Sequence, residues 1–86
     1  MDPLRVLLIE DDEDDYILAR YMLSQIEDGT YDLEWVQTYE GGLEAVGQSR
    51  HDLYLVDYRL GERNGLDLLQ KAISEGCKKP FILLTG

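Results

Sequence analysis

The chain is poor in cysteine and in positive charge, and it has no long apolar run. Its 86 residues contain one cysteine, Cys77, so no disulfide can close within it. That points to a reducing compartment. Basic residues number 8 against 18 acidic ones, for a net charge of -10. A surface of that sign argues against direct binding to nucleic acid or to anionic membranes, and suits divalent cations and basic partner surfaces. No apolar stretch approaches the roughly 20 residues of a membrane span. The first residues, Met1-Asp2-Pro3-Leu4-Arg5, lack the apolar core of a signal peptide. The expectation is a cytoplasmic protein with neither nucleic-acid nor membrane partners. The lone histidine, His51, has no second His or Cys nearby and reads as a solvated loop residue. Gly41, Gly42 and Gly47 are not a phosphate loop, because no Lys-Ser/Thr follows them.

The length suffices for one small domain. Leu4 to Ile9 is an aliphatic run that reads as a strand buried on both faces. The acidic block Glu10 to Asp15 follows it. Ala19, Met22, Leu23 and Ile26 then recur at helical spacing and predict one apolar stripe. Asp28-Gly29-Thr30 reads as the stop of that helix, with Gly29 as its C-cap. Tyr31 to Gln37 alternates and predicts a half-exposed edge strand. Thr38 caps a weak helix from about Glu40 to Ser49, with Leu43 and Val46 inward. Leu53 to Val56 is a buried strand that ends in Asp57, and the loop Tyr58 to Asn64 follows. Asn64 caps a helix from Gly65 to about Glu75, with Leu66, Leu69, Ala72 and Ile73 inward. Gly76 ends it, and Phe81 to Leu84 is a fourth strand, closed by Thr85-Gly86. Strands alternating with helices on short connections predict a parallel α/β sheet with right-handed crossovers.

The chemistry collects at one end of that sheet. The first strand delivers Glu10, Asp11 and Asp12, the third delivers Asp57, and the fourth delivers Thr85. Parallel strands lie about 4.8 Å apart, so these groups can meet. Carboxylates gathered in one pocket repel, which raises their pKa values unless a cation is present. Oxygen ligands with room left for water suit Mg²⁺. A carboxylate beside the metal is a plausible nucleophile toward phosphorus. The bland reading makes Asp57 a loop-capping carboxylate and the acidic block a solvated helix start. The latter fits Asp14 and Asp15, and convergence with Thr85 weighs against the former. Trp35 and the six tyrosines read as packing rather than as a ligand platform.

With the acidic pair, Asp57, Gly65 and Thr85 in this order, the whole chain resembles the response-regulator receiver domains of two-component signalling. The resemblance implies a flavodoxin-like, CheY-like doubly wound sheet of strand order 2-1-3-4. It implies a phosphoacceptor, Asp57, charged by a histidine kinase or histidine phosphotransfer protein with Mg²⁺. Asp11 would be the direct metal ligand and Glu10 would act through water, with Asp12 as the register alternative. The backbone carbonyl of Arg59 would complete the set. Thr85 would donate a hydrogen bond to the phosphoryl group. The stretch Asp57 to Leu66 is similar to receivers attached to hybrid histidine kinases or cyclic-dinucleotide proteins.

Departures qualify the resemblance. Leu60-Gly61 stands where the family usually has Met-Pro, so a more mobile loop is expected. The family's fifth strand, its lysine and its last two helices have no counterpart. The expectation is therefore a receiver domain over 1–86, incomplete at its C-terminus, that binds Mg²⁺ weakly, is phosphorylated poorly or not at all, and self-associates. A C-terminal output domain is expected in the parent. Two other readings compete. One is an interaction module that keeps the fold without the phosphorylation. The other is a dehalogenase-like phosphatase, which needs a second Asp where Arg59 stands. The chain is not expected to be an enzyme.

Overall fold

The computed structural model describes residues 3–26 and 30–85. Among these described residues, six strands and three helices follow in the order β1 (Leu4–Ile9), α1 (Glu13–Ser24), β2 (Tyr31–Val36), α2 (Tyr39–Gly47), β3 (Leu53–Asp57), β4 (Arg59–Leu60), β5 (Arg63–Asn64), α3 (Gly65–Ser74) and β6 (Phe81–Leu84). The four long strands form one sheet of order β2-β1-β3-β6, with parallel pairing throughout. This is the doubly wound arrangement that the alternating pattern predicts. The expected Gly29 cap falls outside the described residues.

Alternation along β1 divides the core. Leu7 and Ile9 face α2 and α3, where Tyr54, Val56, Leu60, Leu68 and Ala72 join them. Val6 and Leu8 face α1 with Leu55, under Tyr16, Ala19 and Leu23. Both faces of β1 are therefore covered, and Val6 to Ile9 are fully buried. β2 lies at one edge and alternates half-buried with exposed residues, as its pattern predicts.

The helices start where their caps place them. Asp12, Thr38 and Asn64 each accept a backbone N–H of the following first turn. Their inward faces correct two sequence expectations. In α1 the sheet-facing residues are Tyr16, Ala19 and Leu23, while Met22 and Ile26 are exposed. Ile26 lies beyond the end of the helix, and both side chains line an open cavity beside β6. In α3, Leu68 and Ala72 are buried while Leu66 and Ile73 are exposed. Contact between Gly65 and β3 sets that rotation: a Cβ there would strike the Asp57 carbonyl and lie 2.7 Å from Val56 Cγ1. With Gly65 inward, positions three and seven further on must also face inward.

Gly42 is a second close approach. A Cβ would lie 2.8 Å from Ile9 side-chain carbons, so the residue that weakens α2 also lets it pack on β1. The segment after β3 is more ordered than the expected loop. β4 and β5 pair antiparallel, Arg59 with Asn64 and Leu60 with Arg63, and Leu60 is buried.

His51 also departs from expectation. It is 4% exposed, and its Nε2 lies 2.7 Å from Glu34 Oε1 on β2. Its position just before β3, beside the edge strand, draws the ring inward. The buried Tyr54 ring packs near it, with centroids 5.8 Å apart.

Candidate functional site

Strand register builds the site. Ile9 pairs with Val56, so the next residues, Glu10 and Asp57, come abreast at the carboxyl ends of β1 and β3. Asp57 pairs in turn with Leu84, which carries Thr85 to the same end of the sheet. In open α/β sheets ligands bind in this crevice. Carboxylate oxygens of Glu10, Asp11 and Asp57 lie within 4.8 Å of one another. Glu10 is buried, Asp57 half-buried and Asp11 exposed. Glu10, Asp57 and Thr85 also share the lining of a cavity of about 500 Å³ that opens along α1.

Local bonds hold these groups in place. Asp11 Oδ2 accepts the Gly61 N–H at 3.0 Å, tying the acidic turn to the β4–β5 hairpin. Glu10 Oε2 accepts the Asp12 N–H at 3.2 Å. The expected register alternative, Asp12, is not part of the three-carboxylate group; its Oδ1 caps α1 by accepting the Asp14 N–H at 3.0 Å. Asp15 lines the cavity without joining the group. The Tyr58 N–H donates to the Leu84 carbonyl, and the Gly65 N–H to the Tyr58 carbonyl, so the chain just past Asp57 is fixed on both sides.

The electrostatics show the cost of this convergence. Burial pushes the Glu10 carboxyl from an ordinary 4.5 up to about 7; the Asp12 N–H opposes the rise, and the Asp57 and Asp15 charges add to it. Asp57 is also raised, first by burial and then by Asp11 and Asp15. Hydrogen bonds from Glu10 and from the Arg59 backbone N–H pull it back. Burial and the neighbouring acids thus make both carboxyls of this pair harder to ionise than free ones. Hard oxygen donors that repel one another across less than 5 Å are the donor set a divalent cation relieves.

The arginines divide their roles. Arg63 lies over the Tyr39 ring at 3.8 Å and bonds Asp67, which also accepts from Tyr39. Arg59 is exposed and joins none of the ion pairs among the described residues.

Residues 6–86 match the family described as the response regulator receiver domain. The chain belongs to this family. Receiver domains are phosphoacceptor modules of two-component signalling. This receiver domain is 30% identical over 82 residues to the response regulator ArlR of Staphylococcus saprophyticus, covering 95% of this chain and 36% of that protein. It is 31% identical over 83 residues to the transcriptional regulatory protein RprY of Bacteroides fragilis, covering 96% of this chain and 34% of the other. It therefore spans about a third of the length of these relatives. Among solved structures, the MaeR response regulator bound to beryllium trifluoride superposes with a TM-score of 0.84 at 27% identity, over 96% of this chain and 67% of that one. The non-phosphorylated HemR receiver domain from Leptospira biflexa gives 0.72 at 30% identity, over 98% and 64%.

One contact was not legible in the sequence. The Trp35 indole N–H donates to the Glu10 carbonyl at 2.8 Å. The alternation of β2 predicts only that Trp35 packs.

Proposed function

We propose that Asp57 of this receiver domain accepts a phosphoryl group from a phosphohistidine of a histidine kinase or a histidine phosphotransfer protein. Asp57 supplies the nucleophilic oxygen. An O–P bond forms as the N–P bond of the donor breaks, and the imidazole leaves with the bonding pair. Glu10, Asp11, Asp57 and the Arg59 backbone carbonyl would hold Mg²⁺. When bound, the ion supplies positive charge against the phosphoryl oxygens and the crowded carboxylates. The Thr85 hydroxyl donates to a phosphoryl oxygen. The Asp11 bond to Gly61 keeps the acidic turn and the hairpin in register around the nucleophile.

The observation that supports this reading is the gathering of three carboxylates within 4.8 Å, two of them with raised pKa. Such an arrangement costs stability without a cation and gains from one. Among the described residues no helix is long and apolar enough to cross a membrane. A cytoplasmic location and an output domain that reads the state of Asp57 belong to the same proposal.

The test uses the protein at its natural length. Acetyl phosphate with Mg²⁺ should add one phosphoryl group, removable by hydroxylamine. Asp57→Asn or chelation of Mg²⁺ should abolish the addition. Labelling that survives Asp57→Asn would move the acceptor elsewhere, and absence of labelling would favour an interaction module without the chemistry.

A further inference from the structure

We infer that Trp35 is a positioning residue for the acidic cluster and sets its affinity for Mg²⁺; the inference rests on the proposal that Glu10, Asp11 and Asp57 are the metal ligands. Trp35 is the chain's sole tryptophan. It stands near the end of the edge strand β2, paired with Leu8 of β1. Its Nε1–H donates to the Glu10 carbonyl at 2.8 Å, and the Glu10 N–H donates to the Val36 carbonyl at 3.0 Å. Both backbone groups of Glu10 are therefore held by β2, beyond the last strand residue of β1. The side chain of Glu10 meanwhile meets Asp57 on the other side, at the end of β3.

The same indole reaches the far side of the acidic turn. It stacks flat on Tyr16 of α1, with centroids 4.0 Å apart and planes 3° from parallel. The Tyr16 N–H makes the first helical bond, to the Asp12 carbonyl at 3.0 Å. Trp35 thus touches the chain immediately before and immediately after Asp11 to Asp15. Between those two contacts lies an unbroken run of acids whose mutual repulsion favours opening the turn. The orientation of the Glu10–Asp11 peptide decides where both carboxylates point. A donor fixed to that carbonyl keeps them directed at Asp57 before any cation arrives, so less ordering is left to the binding step. Apolar packing on Tyr16 needs only a flat ring. The indole N–H does the positioning, and phenylalanine would retain the ring without it.

The experiment measures Mg²⁺ affinity by calorimetric titration and thermal stability in chelator, for the protein at its natural length. Trp35→Phe should bind Mg²⁺ about tenfold more weakly. Tyr16→Leu, which loses the stack but keeps the indole N–H, should bind within about twofold of wild type even where it melts earlier. In the wild type the indole Nε1–H proton resonance should shift with Mg²⁺ at the midpoint of the binding curve, a readout that needs no variant. Wild-type affinity in Trp35→Phe, equal weakening in Tyr16→Leu, or an unmoved indole resonance would each overturn the positioning role while leaving the metal site intact. A wild type that binds no Mg²⁺ would overturn the ligand assignment itself, and the positioning role with it.

Discussion

Replacing Glu10 by glutamine should make the metal-free protein more stable at pH 8 and leave it unchanged at pH 4. Glu10 is 3% exposed, so solvent does not screen its interactions appreciably. Its carboxyl is raised from 4.5 to about 7, the reverse of the usual carboxylate case. Below 4.5 the folded and unfolded chains both carry the proton, and the group contributes its full stability. As pH rises from 4.5 toward 7, the unfolded chain ionises first while the folded one holds its proton. Stability then falls by about 1.4 kcal/mol per pH decade and levels off above 7. The whole interval corresponds to a loss of about 3 kcal/mol at pH 8. Glutamine cannot ionise, still accepts the Asp12 N–H, and can donate to Asp57. Glu10→Gln should recover about 2 to 3 kcal/mol at pH 8, by urea denaturation in chelator. Saturating Mg²⁺ should reverse the order, because it binds the wild type preferentially. A difference between the two proteins that did not vary with pH would refute the electrostatic origin assigned to the site.

Two further outcomes test the packing that positions Asp57. Leu68→Ala should cost about 3 kcal/mol in denaturant titration, since Leu68 is fully buried. Leu66→Ala, at a residue 41% exposed, should cost less than about 1 kcal/mol. Equal losses would mean that α3 is rotated from the orientation described. Gly65→Ala should cost about 3 kcal/mol and weaken Mg²⁺ binding, because a Cβ there meets the Asp57 carbonyl and Val56. A neutral Gly65→Ala in both measurements would refute that close approach.

Much of the fold was legible because periodicity and capping are local. The aliphatic run of β1, the alternation of β2, and the caps Asn64 and Thr38 stand where the residues predict them. Helix rotation was less legible. Leu66, Leu69, Ala72 and Ile73 make an acceptable stripe on paper, but contact of Gly65 with β3 turns Leu68 inward instead. His51 read as solvated because nothing adjacent in sequence covers it; Glu34 on β2 and the Tyr54 ring do so in space. The hairpin of β4 and β5 is not legible in the sequence, because a pair of two-residue strands leaves no periodic signal.

The order of elements, the parallel sheet and the presence of acids and a hydroxyl at strand ends follow from the chain read alone, since each depends on neighbouring residues and their spacing. Which acids meet is a tertiary matter. Asp12 is spent on capping α1, while Glu10 and Asp57 come abreast because β1 and β3 pair with Ile9 opposite Val56. The bonds from Gly61 to Asp11 and from Trp35 to Glu10 span 50 and 25 residues. Contacts at that separation arise only when the sheet has closed, so no local pattern encodes them.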